Sequence, residues 1–436
     1  MNNEFDNVPE QEQPSCEAPK KKVKVWQVIL ASLAALTLLL SLTVTVWWSV
    51  IGVESFDEGM SHIANIFRYR DNDLYYKDSY TVNDKKAVKY KDQVVATMGD
   101  AKLTNSLLQV YYWNNVYKFL ENYGYYAASL GLDYTQPFDQ QQCPELDGTW
   151  QHYFLKDALS DWHSYQAMAL MSQREGLTLD ESMQSFLDQL YDTLQTAAVQ
   201  GGYSSVDAVV QADMGPGCTF EDYYQQQLIY LRGNVYFNKM LDQVDVSDAA
   251  IEAYFAANEA ALKTEGITKE SGNLFGVRHI LIKIEGGTTG DDGTTVYSDD
   301  EWEACREKAQ KLLDDWLAGE ATEENFAKLA QEHSADAGSK DYGGLYTGLD
   351  KDTNFVKEFV DWYMAEGRMV GDYGLIKTSY GYHIMYCADV EAEWIATCRS
   401  GIQTEASRKI ILDAMEQFPM EVDYKKIVLG EGDLFK

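Results

Sequence analysis

The spacing of hydrophobic positions changes several times along the chain, and each change predicts a different element. The longest apolar run comes first. From Val25 to Val53 no residue is charged, and its centre reads VILASLAALTLLLSLTVTVWWSVIG. A bilayer core of about 30 Å needs about 20 apolar residues in a helix, so this run predicts a membrane-spanning helix over 25–53. Trp26, Trp47 and Trp48 stand near its ends, where indoles prefer the interface. Lys20, Lys21, Lys22 and Lys24 precede it and Glu54, Asp57 and Glu58 follow. The positive-inside rule then places a tail at 1–24 in the cytoplasm and the main body outside the cell membrane. A cleaved signal peptide fits less well, since its apolar core is about 7–15 residues and ends in a small-x-small site. This run is longer and ends in WWSVIGVESF, with no lipobox cysteine.

Past the run, residues 54–91 mix charges and tyrosines without a sustained period and read as a spacer. Val94–Met98 is β-prone, Gly99-Asp100 signals a turn, and Thr104 can cap a helix carrying Leu107, Leu108, Tyr111 and Tyr112. Helical periodicity returns at Ala158–Arg174, Leu179–Val199 and Thr219–Gln243, so 92–272 is expected to be mainly helical. The stretches DYTQPFDQQQCPELDG and QADMGPGC read as loops from their Pro and Gly content. The run YYWNNVYKFLENYGYY reads as interhelix core, with the lining of a groove for unfolded segments as the second reading. Ser247 opens a further helix with Ile251, Tyr254 and Phe255 on one face.

From Asn273 the pattern becomes strand-like in FGVRHILIKI, followed by the acidic, Gly-rich EGGTTGDDGTT. That loop lacks the Asp-x-Asp-x-Asp-Gly register of a calcium loop and reads as solvated. Ser298 and Glu301 form a capping box before a helix with Trp302, Cys305, Ala309, Leu312 and Trp316 on one stripe. Gly319 ends it, and Thr322 caps the next. A short helix around Val356–Met364 and strands at Tyr373–Thr378 and Tyr382–Cys387 complete an α+β order over 273–390. The segment 391–436 supplies one more helix and a last strand. A lone strand is not stable, so Val422–Val428 is expected to pair with Val94–Met98, making the α+β module an insertion in the helical domain.

Composition narrows the function classes. A net charge of −33 argues against nucleic acid as a partner, because phosphate recognition needs clustered Lys and Arg. Of six cysteines, Cys16 is expected inside and Cys143, Cys218, Cys305, Cys387 and Cys398 outside. The external number is odd, no spacing suits zinc, and disulfide pairing stays open.

Three blocks carry chemistry: VRHILIK at 277–283, FAKLAQEHSADAGSKDYGGLY at 326–346, and GLIKTSYGYHIM at 374–385. In order and spacing they resemble the signature blocks of parvulin-type peptidyl-prolyl isomerases. The surrounding helical region, with VVATMGDAKLTN at its start, is similar to the chaperone domain of PrsA/SurA-type foldases. The resemblance implies a parvulin-like antiparallel sheet with flanking helices, inserted in a helical chaperone-like domain. It also implies a catalytic floor of His279, Asp336 and His383. The prolyl pocket would comprise Leu345, Phe355 and Phe359, with Thr378 and Tyr380 at its mouth. Where the family's common GGDLG run would stand, this chain has GGLYTG, which puts Tyr346 on the rim.

Rotating an X–Pro bond opposes amide resonance, with a barrier of about 18–20 kcal/mol. No bond is broken, so no nucleophile, metal or cofactor is expected. Implied partners are unfolded or partly folded exported proteins with X–Pro bonds. The acidic loop at 285–301 has no arginine cluster, which argues against selection for phosphorylated substrates. Two other readings are a non-catalytic holdase that keeps the fold as a binding module, and an envelope adaptor supported only by the anchor.

Overall fold

The computed structural model describes residues 80–144, 148–289 and 295–432. The anchor expected at 25–53 and most of the spacer lie outside the described residues. Among the described residues no helix is long and apolar enough to cross a membrane. The chain divides into two compact units, residues 80–234 with 418–432, and residues 235–417.

The first unit begins inside the stretch read as spacer. Thr81–Val82 pairs in parallel with Val428–Leu429. The short helix α1 (Asp84–Lys89) follows, capped by the Asn83 side chain, with Ala87 fully buried. Residues 80–91 are therefore part of the folded unit. A two-residue strand has no readable period, and its partner lies at the far end of the chain. Strands β1 (Val94–Met98) and β2 (Ala101–Thr104) form the expected hairpin, with Gly99 at positive φ in its turn. Thr104 caps α2 (Asn105–Tyr123), accepting from the Leu107 amide at 3.2 Å. Helix α2 is buried on nearly every side and packs on α3 (Trp150–Arg174). Phe119 meets Trp150 at 5.3 Å between ring centroids, and Phe138 meets Phe154 at 5.3 Å. Tyr111, Tyr112, Trp113, Phe119 and Tyr123 of the aromatic run are core, as its pattern implied, whereas Tyr125 and Tyr126 at its end are exposed.

Three more helices follow: α4 (Glu181–Gly201), α5 (Val206–Met214) and α6 (Phe220–Leu241). Two loop assignments change. Residues 211–214 of QADMGPGC finish α5, which ends at Gly215 with φ +90°. Within DYTQPFDQQQCPELDG, Phe138–Gln140 makes a 3-10 turn and Gln142–Cys143 pairs with Gly148–Thr149. Phe138 there enters the core. One aromatic anchor holds a Pro-rich stretch that carries no period of its own.

The returning C-terminal strand is split. Glu421–Val422 pairs antiparallel with Thr97 and Ala96 of β1, as expected. Tyr424–Lys426 then turns, and Val428–Leu429 joins Thr81–Val82 instead. The buried Asn105 side chain fixes this path. Its Oδ1 accepts from the Val428 amide at 2.8 Å, and its Nδ2 donates to the carbonyls of Lys426 at 3.0 Å and Tyr90 at 3.1 Å.

The second unit is α+β. Helix α7 (Asp248–Thr264) is capped by Ser247 as its sequence predicted. Four antiparallel strands follow in the spatial order β5-β6-β3-β4: β3 (Asn273–Lys283), β4 (Leu345–Leu349), β5 (Tyr373–Thr378) and β6 (Gly381–Ala392). Helices α8 (Asp299–Ala318), with its capping box, and α9 (Glu323–His333) cover one face. There Ile280 and Ile384 pack on Ala309, Leu313 and Phe326. The other face packs under α10 (Lys357–Tyr363), where Phe275, Val277 and Met385 meet Phe359 and Tyr363. Period-2 alternation along β3 divides its side chains between these two cores.

Helix α11 (Glu393–Gln417) packs on α7 through Cys398, Ile251 and Phe255. Both helices were expected in the helical domain, but they belong to the second unit, and only residue 418 onward returns to the first. Their apolar stripes face each other, which no single-helix pattern can show. Cys143, Cys218, Cys305, Cys387 and Cys398 are all buried.

Candidate functional site: a histidine pair beneath an aromatic rim

His279 on β3 and His383 on β6 lie on the α10 face of adjacent strands. Their Nδ1 atoms are 3.0 Å apart, and both rings are buried. The segment after α9 brings Asp336 to them. The Ser334 hydroxyl accepts the Leu281 amide at 3.2 Å and the Asp336 amide at 3.2 Å. The Ala335 amide donates to the Leu281 carbonyl at 2.9 Å. Asp336 Oδ2 then stands 3.1 Å from His279 Nε2.

Three further donors converge on that oxygen: the Ser339 hydroxyl at 2.6 Å, the Ser339 amide at 3.0 Å and the Tyr346 hydroxyl at 3.0 Å. The hydrogen bond from His279 leads in holding the Asp336 carboxyl well below the usual carboxylate range, with Ser339 and Tyr346 adding to it. Burial, and then the bond to Asp336, pushes the Tyr346 phenol up to about 12, so it donates as a neutral hydroxyl.

One direction of donation satisfies every group. An ionised carboxylate can only accept, so His279 donates from Nε2 to Asp336 and accepts at Nδ1. His383 donates from its own Nδ1 and accepts at Nε2, where the Thr378 hydroxyl lies at 2.9 Å. Thr378 Oγ1 in turn accepts the Tyr380 amide at 3.1 Å. Burial pushes the His383 imidazole down to about 3, with the neighbouring His279 adding to the fall and Asp336 opposing it.

His383 is thus neutral in the folded state, whereas an unfolded histidine titrates near 6.5. Between pH 6.5 and 3 the unfolded chain binds more protons, so stability is present above 6.5 and falls as pH falls. The second unit is expected to lose on the order of 2 kcal/mol between pH 7 and 4.5 from this group alone. Urea unfolding of wild type and His383→Asn across that range would show it. Equal slopes in both chains would remove His383 as the cause.

Above the histidines stand three rings. Phe359 meets His279 edge-to-face at 5.1 Å and His383 at 5.8 Å. Phe355 lies 5.0 Å from Phe359 and 4.9 Å from Tyr346. The structure thus gathers His279, Asp336, His383, Phe355, Phe359 and Thr378. Two expected positions differ. Leu345 registers opposite Arg278 while Tyr346 registers opposite Val277, so alternation puts Tyr346 on the histidine face and Leu345 on the other. Tyr380 is 57% exposed and reaches the site through its backbone amide. Sequence reasoning missed Ser339. Its signal was the three-residue spacing from Asp336, the spacing of a side chain that caps a turn.

Glycine sets the close approach of strand and loop. Gly344 has φ +74°, its carbonyl accepts the His279 amide at 2.8 Å, and its amide donates to the Ser339 carbonyl at 2.8 Å. Gly381, at φ +145°, begins β6 directly against the Ile282 carbonyl.

Residues 261–391 match the family model of the PPIC-type PPIase domain. That range contains the histidine pair, Asp336, Ser339 and all three rings. Among curated proteins, the foldase protein PrsA of Clostridium botulinum (strain 657 / Type Ba4) is 30% identical over 170 residues, covering 38% of this chain and 40% of that protein. The foldase protein PrsA of Clostridium kluyveri (strain NBRC 12016) is 29% identical over 182 residues, covering 40% and 43%. The chain therefore spans about 40% of the length of these relatives. Among solved structures, PrsA from Bacillus subtilis aligns over 75% of this chain and 93% of that one, at 17% identity and a TM-score of 0.31.

Proposed function

We propose that the chain is a membrane-anchored, extracytoplasmic peptidyl-prolyl isomerase and foldase acting on exported proteins with X–Pro bonds. The observation that carries the reading is the buried hydrogen-bonded line Thr378–His383–His279–Asp336 beneath the rings of Tyr346, Phe355 and Phe359. The rings form an apolar cup suited to a pyrrolidine ring, and the line gives that cup a fixed polar floor. Planar amides place substantial negative charge on the carbonyl oxygen, and the twisted amide places less there. A fixed carboxylate beside that oxygen therefore disfavours both planar forms more than the transition state, which lowers the barrier. The imidazoles hold Asp336 in place and ionised, and no proton needs to reach the substrate. Ser339 and Tyr346 act as positioning residues through the same oxygen.

The anchor is supported by the uncharged run at 25–53 and its lysine-rich N-terminal flank. The family match over 261–391 supports an isomerase domain at 273–390. The first unit, residues 80–234 with 418–432, would then form the client-holding part.

A protease-coupled isomerisation assay with a short prolyl peptide tests the central claim. The full chain is expected to exceed the uncatalysed rate, and the Asp336→Ala/His383→Ala double variant to fall back to it. A wild-type chain that gives only the uncatalysed rate would leave the holdase reading in its place.

A further inference from the structure

The first unit carries a groove of about 340 Å³ that the isomerase reading leaves unused. It lies between β2 and the helices α3 and α6. Strand β2 is an edge: β1 pairs with one side, and among the described residues no strand pairs with the other. In an antiparallel pair every second residue turns its N–H and C=O away from its partner. Here those groups form an unused row at the groove.

The facing helices present three amides, Gln166 and Gln173 from α3 and Gln225 from α6, with Leu107 and Leu228 beside them. A carboxamide donates and accepts, so these side chains match peptide groups of any sequence. The charge is also unusual for this chain. Its net charge is −33, yet Lys102 and Arg232 both line the groove and make no ion pair among the described residues. The single carboxylate there, Asp222, is already engaged by the Ser106 hydroxyl at 2.8 Å and by the Thr219 amide at 2.9 Å and hydroxyl at 2.6 Å.

We propose that this groove captures an extended segment of polypeptide, which adds as a strand to β2 and places an acidic side chain beside Lys102 and Arg232. The proposal rests on the foldase reading and gives its client-holding part a substrate class: extended, acidic chain recognised mainly by its backbone. A groove of this size suits a few extended residues rather than a folded domain.

The test uses the full chain and a fluorescein-labelled, proline-free peptide of Thr, Ser and Val with two central glutamates, followed by anisotropy. Saturable binding is expected. N-methylation of alternate peptide amides should weaken it about tenfold or more, the equivalent of about 1.4 kcal/mol. Lys102→Pro should do the same, since proline is tolerated on an open strand edge but blocks pairing there. Arg232→Glu should weaken the glutamate peptide and spare its glutamine counterpart. Absence of saturable binding, or binding indifferent to N-methylation, overturns the proposal without relying on any variant. Isomerase activity on a short prolyl peptide is read on the same samples. Activity without peptide capture defeats this inference alone, and capture without activity defeats the isomerase reading alone.

Discussion

Asp336→Ala is expected to lower kcat/KM for prolyl isomerisation by about 100-fold, the scale on which a fixed electrostatic group at a reacting centre acts. Four donors converge on one oxygen of this side chain. Its removal takes away the carboxylate of the floor and leaves the rings of Phe355 and Phe359 in place. The loss should therefore fall on kcat, with KM for the peptide little changed. Alanine also strands buried donors on His279 and Ser339, at about 1–3 kcal/mol for each group left unsatisfied. A thermal melt separates that effect from catalysis. Asp336→Asn provides the second arm, since it keeps the volume and one acceptor oxygen but not the charge. If both variants work within about threefold of wild type while folded, electrostatic stabilisation by Asp336 is excluded, because that ratio is under 1 kcal/mol.

Gly344→Ala is expected to be among the most damaging single methyl additions in the second unit. A Cβ there would stand 2.2 Å from the His279 carbonyl oxygen and 3.0 Å from the Ala330 Cβ, on a backbone at φ +74°. The positive φ alone costs about 1–2 kcal/mol for an L-residue. The clash adds more, because the nearest atom is backbone of a central strand and cannot swing away. Relief requires β4 to part from β3 and breaks the His279–Gly344 hydrogen bond, so about 3 kcal/mol or more of stability should be lost with most of the isomerase activity. Gly348→Ala is the control: φ is +68°, but no atom lies within 4 Å of the added Cβ. It should cost only the conformational strain. Urea titrations of the two variants measure the difference, and equal losses would show that strain, not the contact with His279, sets the requirement for glycine.

Much of this site was legible before any coordinates. His279, Asp336 and His383 sit in blocks whose order matched a known pattern, and the caps at Thr104, Ser247, Ser298 and Thr322 all formed where their short-range signals placed them. Such signals are local, since a cap depends on residues three positions away. The errors were of a different kind. The family resemblance implied Leu345 for the pocket, but which face a strand residue takes depends on its register against a partner. Across the irregular β3–β4 pairing, that register gave the pocket to Tyr346. Ser339 was passed over because its role appears only when the loop folds onto Asp336.

By itself, the sequence determined the apolar run at 25–53, the α+β order of the second unit, most helix starts and the identity of the central histidines and aspartate. All of these follow from periodicity, composition or motifs within a few residues. Tertiary structure alone decided the rest: the split C-terminal strand held by Asn105, the grouping of α7 with α11, and the four-donor cage around Asp336. It also decided which tautomers of the paired histidines satisfy the line. Each of these depends on groups brought together from distant parts of the chain, and hydrogen bonds across such distances leave no period in the sequence.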